Sequence, residues 1–405
     1  MTENRTALII GGGIAGPVTA MALRRAGIES RVYEAYDEPA DGVGAMVGLA
    51  PNGLDALGVL GADAAVRDIG TPVASMVMRS WTGKRLAEFG GGPEPVFHAV
   101  WRADLYRALY DEAASRGIEI EHGKRFVHAE DHGDGVTATF ADGSNATADI
   151  LIGADGIRSA VRGQLFPDIR PRYTGLLGFG AMLSQATGLP STNGSMHMVF
   201  GKRAFFAYQV EDDGRTGWFA NLPRREPMSL AEARAVGGTE WLRVLTDVFA
   251  GDRIPALEIL RQCVPEELVV VGALEDLPNV PQWSKGRIVL VGDAAHATSP
   301  SSGQGVSQAI ESALHLARCL RDVPTAEGAF AAYERLRRAR VERVIAAGAR
   351  TNRDKAAGPV ARVVRDAVLP VAMKLLAKPE KMAWQTEYHI DWDETVDPGE
   401  LAAAR

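Results

Sequence analysis

Three glycines and one acid near the N-terminus have the types and spacing of a dinucleotide-binding turn. Gly11, Gly13 and Gly16 form the pattern G-x-G-x-x-G between a short apolar run and a helical pattern. In such a turn the first glycine permits the tight bend, the second lets a diphosphate approach the backbone, and the third lets helix and strand pack closely. Glu34 follows the next apolar run, where an acid can accept hydrogen bonds from a ribose. The motif indicates a dinucleotide site without separating NAD from FAD.

A second stretch, "RIVLVGDAAHATSPSSGQGVSQAIESA" at residues 287–313, places chemistry-bearing residues between a strand and a helix. A buried-strand pattern is followed by Asp293, His296, Pro300 and Gly-Gln-Gly, and an amphipathic helical pattern begins at Val306. Glycine and proline at this density indicate a turn. The end of a buried strand is also where an open α/β sheet binds its ligand. We therefore expect this turn to be a ligand site.

Several classes of chemistry lack their residues in this sequence. There is no H-E-x-x-H, no cluster of Cys and His and no G-x-S-x-G, so we predict neither a metal site nor a serine-hydrolase site. Cys263 and Cys319 are far apart and are expected to be buried, reduced thiols. His296 is expected to order its turn rather than to move a proton, but a histidine can always serve as a base, and both roles stay open.

Charge and hydropathy limit the partners of the chain. The net charge is −7 and the pI is near 5.7, which argues against nucleic-acid binding. No apolar run is long enough for a membrane helix, and the apolar stretch near the N-terminus is too short for a signal peptide. We expect a cytoplasmic protein with neither nucleic-acid nor membrane partners.

The elements that must position these residues are of two kinds. The first motif predicts a β-turn-α-β unit of about thirty residues, the size that such a unit requires. Between about residues 171 and 279, methionine and aromatic residues alternate with other types, which predicts an antiparallel sheet inserted as a second domain. The α/β character returns after residue 287 and leads into a helical part. The arginines at residues 330–351 are expected to face solvent.

Three motifs in this order point to a known family: "GGGIAG", "GADGIRSAVR" and "GDAAHATSPSSGQG". The similarity continues through "PNGLDALGVLG", "WRADLYRAL" and "YHIDWD". The sequence resembles the group A FAD-dependent monooxygenases, the aromatic-hydroxylase family with the p-hydroxybenzoate hydroxylase fold. The resemblance implies an α/β fold with a Rossmann-like FAD-binding domain (GR2 type), an inserted, mainly antiparallel β-sheet substrate domain and a helical C-terminal part. The implied boundaries are 1–72, 97–170 and 280–340 for the FAD-binding domain, 73–96 and 171–279 for the substrate domain, and 341–405 for the C-terminal helical segment.

The resemblance assigns roles to the residues of the second turn. Asp293 would bind the ribityl chain of the flavin, and Gly292 would leave room for that approach. Gly303, Gln304 and Gly305 would line the pyrimidine side of the ring, where backbone amides can stabilise negative charge on the reduced flavin.

Further roles follow for three other parts of the chain. Pro300 would shape the loop that faces the substrate, and Arg102 would contact FAD. Asp155 belongs with Arg158 to the D-G segment, which the family uses for FAD and nicotinamide binding. The residues expected to bind the cofactor are Gly11, Gly13, Ala15, Gly16, Glu34, Arg102, Asp155, Gly292, Asp293, Pro300, Gly303, Gln304, Gly305 and Val306.

The implied reaction uses NAD(P)H and dioxygen. NADPH or NADH would reduce FAD, oxygen would add to form a flavin hydroperoxide, and its distal oxygen would attack an aromatic or polyketide-like small molecule. Water would break the hydroperoxide down, so the pocket should be apolar. No second G-x-G-x-x-G is present for the nicotinamide nucleotide, which agrees with this family.

The inserted sheet supplies the residues expected to line the substrate pocket: Met182, Met196, Met198, Phe206, Tyr208 and Trp218. Alternate side chains of a strand face opposite sides, so His197 and Gln209 would point away from the flavin if their neighbours point towards it. About half of the methionine and aromatic side chains are expected to belong to the core instead.

The sequence does not identify a catalytic base for a phenolic substrate. The candidates are His197, Tyr208 and His98, and Pro300 is a further candidate catalytic residue because of its loop.

Alternatives to hydroxylation are epoxidation or oxidative decarboxylation on the same fold, or an FAD protein that sequesters a ligand. The W-x-W-x-I-P stretch of flavin halogenases is absent. The choice between NADH and NADPH stays open, as does that between monomer and homodimer.

Overall fold

The computed structural model describes residues 5–38, 45–92, 94–355, 357–376 and 379–397. The chain begins with strand β1 (Thr6–Ile10), helix α1 (Ala15–Arg25) and strand β2 (Glu29–Tyr33), the β-turn-α-β unit predicted from the sequence. Strand β1 pairs in parallel on both sides. Both of its faces are therefore buried, which explains its continuous apolar sequence.

A six-stranded sheet carries both glycine-rich turns. Its other strands are β8 (Glu119–Glu121), β12 (Ile150–Gly153), β18 (Ser284–Lys285) and β19 (Ile288–Leu290). The order is β18-β19-β12-β1-β2-β8, and every pair is parallel except β18 with β19. The carboxyl ends of β1, β12 and β19 therefore meet at one edge of the sheet, where α/β proteins bind ligands.

A seven-stranded sheet forms the second layer. Its strands are β5 (Ser75–Ser80), β6 (Arg85–Gly90), β13 (Arg172–Met182), β14 (Ser195–Phe200), β15 (Phe205–Val210), β16 (Thr216–Pro223) and β17 (Val269–Asp276). They run in the order β17-β13-β16-β15-β14-β5-β6, and only β14 with β5 is parallel. The predicted, mainly antiparallel sheet is confirmed.

Three helices that the sequence analysis did not predict interrupt this sheet between β16 and β17. They are α6 (Leu230–Ala235), α7 (Gly238–Phe249) and α8 (Ala256–Gln262). In α7 the residues Trp241, Leu245 and Phe249 are buried, and their spacing of four is the signal that could have revealed the helix. The three helices cover one face of the seven-stranded sheet.

Shorter elements complete the first layer. One small sheet contains β3 (Met46–Leu49), β4 (Thr71–Val73) and β7 (Phe97–Trp101), and another contains β9 (Phe126–Asp131), β10 (Val136–Phe140) and β11 (Asn145–Ala148). The helices are α2 (Pro51–Val59), α3 (Asp63–Arg67), α4 (Arg102–Ser115), α5 (Ala160–Leu165) and α9 (Asp293–His296). Helix α2 begins at Pro51, because a proline loses no hydrogen bond at the first helical position.

The C-terminal part is helical, as predicted. Its helices are α10 (Gly305–Asp322), α11 (Ala326–Lys355), α12 (Pro359–Leu376) and α13 (Pro379–Thr386). None of the helices in the described part of the chain is long and apolar enough to span a bilayer. The predicted C-terminal segment ends with residues 398–405, which lie outside the described residues.

Two arginines of α11 correct the expectation that its arginines face solvent. Arg337 is fully buried, and both Arg337 and Arg340 pair with the buried carboxylate of Glu311. The carboxylate of Glu311 on α10 allows these two arginines to lie in the interior. The number of arginines in the sequence does not reveal such a partner. Cys263 and Cys319 are buried and free, as predicted.

Candidate active site

The first glycine turn has the geometry that its spacing predicts. Gly11 has a φ of +106°, and a side chain there would place its Cβ 2.6 Å from the carbonyl oxygen of Ala154. A Cβ on Gly16 would overlap the carbonyl oxygen of Gly11, so neither position admits a larger residue. At Gly13 no atom lies within 4 Å of such a Cβ. The turn therefore packs tightly against the protein at Gly11 and Gly16, and at Gly13 it leaves space for a ligand.

Glu34 and the start of α1 complete this turn. The Gly12 N–H donates to Glu34 Oε2 (2.6 Å) and the Tyr36 N–H donates to Glu34 Oε1 (3.0 Å), so the carboxylate is held beside the glycines. No side chain caps the N-terminus of α1, which begins at Ala15. Its first amides remain available to a diphosphate.

Gly292 joins the two turns. It follows β19 with a φ of +61°, and a Cβ there would lie 3.1 Å from Ala15 Cβ and 3.2 Å from Ala309 Cβ. Helices α1 and α10 therefore begin on either side of this residue. The structure brings two motifs that are far apart in the sequence to one edge of the six-stranded sheet.

Asp293 lies at this junction, and its carboxylate is free to accept a hydrogen bond from a ligand. Burial raises the pKa of its carboxyl group, and the nearby Arg102 guanidinium acts in the opposite direction. No donor in the described ranges forms a hydrogen bond with that carboxylate. Asp293 is partly exposed, and a hydroxyl group of a bound ligand would supply the donor that a desolvated carboxylate normally has.

Hydrogen bonds to neighbouring protein groups fix the Gly-Gln-Gly turn. Gly303 adopts the left-handed conformation with a φ of +64°, and the Gln304 N–H donates to Ser302 Oγ (3.1 Å). Gln304 Oε1 accepts from Asn52 Nδ2 (3.0 Å) in α2. No side chain caps the start of α10 at Gly305 and Val306. The backbone amides there can face a ligand.

A buried charge network fixes α10 beneath the turn. Glu311 accepts hydrogen bonds from Asn52 Nδ2 (2.5 Å), Arg337 Nη1 (2.5 Å) and Arg340 Nε (2.8 Å). Although burial raises the pKa of Glu311, Arg337 and Arg340 lower it below its usual range. The sequence analysis missed Asn52, Arg337 and Arg340, because their partners lie on other helices.

His296 faces the interior rather than the turn. Its Nε2 lies 2.8 Å from Ser312 Oγ and its ring packs against Trp283. Burial, assisted by Arg337, lowers the pKa of His296 to about 3. The imidazole is therefore neutral near neutral pH, in accord with a role in ordering the turn.

Asp155 is engaged within the protein. Its carboxylate accepts from Ser159 Oγ (2.5 Å) and from the N–H groups of Ala160 (2.7 Å) and Val161 (3.1 Å), at the start of α5. The neighbouring Arg158 is exposed and pairs with Glu275. Asp155 thus stabilises the beginning of a helix, and its contact with FAD or nicotinamide stays a prediction.

The residues predicted for the substrate pocket divide between the two faces of the seven-stranded sheet. Phe206, Tyr208 and Trp218 pack in the core beneath α7 and α8. Met196 and Met198 lie on the other face, in clusters that share Phe219. Met182 is on that face as well, because its Cε lies 3.2 Å from the position of a Cβ on Gly217. The sequence pattern of these strands does not reveal which residues lie on which face, because both faces are apolar.

The second face of the sheet carries Phe205, Phe219 and Asn221 with the three methionines, and it looks toward the Pro300–Ser302 turn. Leu369 of α12 and residues of β4 and β7 pack against parts of this face, and Phe205 and Asn221 are buried. Lys355 at the end of α11 bridges the two, since its Nζ donates to Asn221 Oδ1 (2.7 Å) and to Ser301 Oγ (3.0 Å). Nothing in the sequence distinguished Lys355 from other lysines. The strand register would have placed Phe205 and Phe219 on one face. Phe205 pairs directly with Asn221, and Phe219 lies two residues before Asn221 on the same strand.

None of the three candidate bases lies on the second face of the sheet. His197 Nδ1 is 2.8 Å from Tyr208 Oη, and Tyr208 belongs to the core beneath the helices. Burial, with Arg79 nearby, lowers the pKa of His197 to about 4. His98 lies in β7 beside Gly70, in a different sheet. Pro300 is exposed at the start of its turn.

Taken together, the two turns fit FAD. The open space at Gly13 and the uncapped start of α1 suit a diphosphate, Glu34 suits a ribose, and Asp293 suits a hydroxylated chain. Within the described residues, no group of three or more His, Cys, Asp or Glu side chains is arranged to hold a metal ion.

Comparisons with known proteins give the same result. A family model described as FAD binding domain matches residues 4–202 and 279–347, more than half of the chain. Aurachin C monooxygenase/isomerase of Stigmatella aurantiaca is 31% identical over 349 residues, which are 83% of this chain and 86% of that protein. A 3-amino-4-hydroxybenzoate 2-monooxygenase of Streptomyces platensis is 34% identical over 361 residues, 85% of this chain and 87% of that protein.

A solved structure supports the same assignment. Klebsiella pneumoniae HpxO in complex with FAD and uric acid superimposes with a TM-score of 0.80 at 26% identity, over 93% of this chain and 96% of that one. The predicted fold, family and cofactor are therefore confirmed. The chain belongs to the group A flavin-dependent monooxygenases, with FAD as its cofactor.

Proposed function

We propose that this protein hydroxylates a small, electron-rich aromatic ring with dioxygen and NAD(P)H. One observation carries the proposal: the two FAD-binding turns meet at Gly292, and the turn that follows is bridged by Lys355 to an apolar, aromatic sheet face. A monooxygenase needs this arrangement, because the oxygen donor and the substrate must share a pocket that excludes water.

We assign the predicted cofactor set to two groups of contacts. The glycine turn at residues 11–16 and the carboxylate of Glu34 would hold the adenosine diphosphate part. Arg102, Asp293 and the turn at 303–306 would hold the flavin part, where the amides of α10 favour negative charge on the reduced ring. When bound, FAD accepts a hydride from NAD(P)H and activates dioxygen for transfer to the substrate.

We assign the substrate pocket to the second face of the seven-stranded sheet, beside the Pro300–Ser302 turn. Met182, Met196 and Met198 provide adaptable apolar surface, and Phe219 offers a ring on which an aromatic substrate can stack. Phe206, Tyr208 and Trp218 lie on the other face, so we assign them to the core. This placement excludes the pair His197 and Tyr208 from direct contact with the substrate.

The names of the relatives narrow the substrate class. One is a 3-amino-4-hydroxybenzoate 2-monooxygenase and another an FAD-dependent urate hydroxylase of Klebsiella pneumoniae, 32% identical over 353 residues. Each name specifies a ring system that carries oxygen substituents and contains nitrogen, as an amino group in the benzoate and as ring atoms in urate. We infer that this protein also accepts a ring with at least one acidic oxygen. Epoxidation, oxidative decarboxylation and ligand sequestration would use the same residues, and no contact favours them.

The proposal is tested by the flavin spectrum and by consumption of the nicotinamide cofactor. The purified protein should show flavin absorbance, and NADH or NADPH oxidation should accelerate on adding one member of a panel of phenols, aminophenols, hydroxybenzoates and urate. Mass spectrometry should then find a product that has gained one oxygen atom. A protein that binds FAD but oxidises NAD(P)H at the same rate with every compound would contradict hydroxylation of this substrate class.

A further inference from the structure

Lys355 lies half-buried at the end of α11, and no acid in the described part of the chain accompanies its amine. Its Nζ donates to two neutral groups, Asn221 Oδ1 (2.7 Å) and Ser301 Oγ (3.0 Å). No carboxylate of the described residues forms an ion pair with it. Arg337, a buried cation in the same helix, pairs with Glu311. A partly desolvated cation without a counter-charge is unfavourable for folding, and titratable groups in such surroundings are frequent at functional sites.

Aromatic rings surround the amine. Nζ lies 4.1 Å from the ring centroid of Phe205 and 5.7 Å from that of Phe219. These rings stabilise a cation only modestly, and they belong to the face assigned to the substrate. An aromatic ligand on this face would therefore reach the amine.

The surroundings leave the amine free to exchange a proton. Burial lowers the pKa of Lys355 to about 7, so about half of the molecules carry a neutral amine at neutral pH. The side chains of the Pro300–Ser302 turn are uncharged. His197 and Tyr208 hydrogen-bond to each other on the opposite face of the sheet, which α7 and α8 cover.

Charged groups on the other neighbouring elements are already engaged. On α12, Arg365 pairs with Asp366, and Arg362 donates to the backbone carbonyl of Lys202. On α10, Glu311 is bound by two arginines of α11. Lys355 is thus a group beside this face that has no charged partner among the described residues and can titrate near neutral pH.

We propose that Lys355 takes the proton from an acidic ring oxygen of the substrate and then binds the resulting oxyanion. The inference rests on the proposed function and supplies the base that the sequence analysis could not name. The O–H bond of the substrate breaks and an N–H bond forms on Nζ, while the electron pair stays on oxygen. The ring becomes more electron-rich and so more reactive toward an electrophilic oxygen donor.

The position of Lys355 suits this step. Ser301, which accepts a hydrogen bond from Nζ, directly follows Pro300 in the turn that precedes the flavin-binding glycines. Asn221 and Ser301 fix the amine without neutralising a charge on it. The ammonium group can therefore pair with an oxyanion once the proton has moved.

The test uses the FAD-loaded protein and 4-nitrophenol, whose ionised form is yellow. In the wild-type protein the bound probe should be ionised at a pH about one unit below the pKa of the free probe, equivalent to a roughly tenfold change in its ionisation equilibrium. In Lys355→Gln, which can still hydrogen-bond to Asn221 and Ser301, the shift should disappear. In Lys355→Arg the ionised probe should still bind, because the cation is retained.

Lys202→Met is the matched control. Lys202 also lies over an aromatic ring, that of Trp81, at 4.1 Å, but it lies away from the Pro300–Ser302 turn. This variant should ionise the probe as the wild type does. Flavin content and circular dichroism of each variant show whether it has folded, and Lys355→Met provides a second variant if Gln fails to fold.

Three results would overturn the inference: a wild-type protein that binds the probe in its neutral form, one that does not bind it, or a Gln variant with an unchanged shift. A merely structural role for Lys355 would alter folding without altering probe ionisation. Failure of the proposed function shows itself elsewhere, as loss of flavin or of substrate-stimulated NAD(P)H oxidation in the wild-type protein.

Discussion

The two faces of the seven-stranded sheet have similar compositions but different surroundings. One face, with Phe206 and Trp218, is sealed by α7 and α8 into a core. The other carries Phe205 and Phe219 beneath Lys355, and it faces the Pro300–Ser302 turn. An aromatic residue on the first face stabilises the fold, whereas on the second face the half-buried Phe219 is available to a ligand. Residue type therefore says less about function than the strand position, because adjacent side chains face opposite sides.

The largest effect is expected on the covered face. Phe206 is fully buried against Trp218 and Phe249. Phe206→Ala should lower the free energy of unfolding by about 3–5 kcal/mol, because it leaves a cavity in a packed core. Urea denaturation of the FAD-loaded protein measures this change. A loss below about 1 kcal/mol would mean that this face is not the core.

A substitution at Phe219, on the second face, should change ligand affinity more than the stability of the fold. Phe219→Ala removes a half-buried ring from the face assigned to the substrate. Affinity for 4-nitrophenol should fall about three- to tenfold, equivalent to roughly 1 kcal/mol, while unfolding changes less than in Phe206→Ala. Titration of the flavin absorbance gives the affinity. Equal affinity in variant and wild type would remove Phe219 from the pocket.

How far the sequence predicts the molecule depends on whether a feature is local. The glycine turn at 11–16 is local, since its spacing alone requires close approach of backbone, and the structure shows it at Gly11 and Gly16. The faces of the sheet depend on strand pairing, which the alternation of apolar residues on both faces conceals. Lys355 is placed by a helix that packs across the sheet, and no local pattern marks it.

Acid should destabilise the covered face through His197. Its folded pKa is lowered to about 4, below the value near 6.5 expected in the unfolded chain, so the unfolded state binds the extra proton between these values. Stability should therefore fall as the pH drops from about 6.5 to 4, by about 1–2 kcal/mol once partial exposure is discounted. His197→Gln should flatten this part of the curve. An unchanged pH dependence in the variant would contradict the assignment.

The smallest effect expected is a gain. Lys355→Met replaces a half-buried cation that has no acid partner with an apolar side chain of similar length. The free energy of unfolding at neutral pH should rise by about 0.5–1 kcal/mol, although the bound probe is no longer ionised. Thermal unfolding of the FAD-loaded variant measures this gain. A clear loss of stability would instead show that the lysine chiefly holds α11 against the sheet.

The central claim, that this protein transfers one atom of dioxygen to an aromatic ring, is tested most directly by isotope labelling. The reaction is run with NAD(P)H under labelled dioxygen and the panel compound that most stimulates cofactor oxidation, and the product is weighed by mass spectrometry. The account predicts a product with one labelled oxygen atom on the ring. Hydrogen peroxide as the sole oxygen product with every compound, or a hydroxylated product without label, would contradict it.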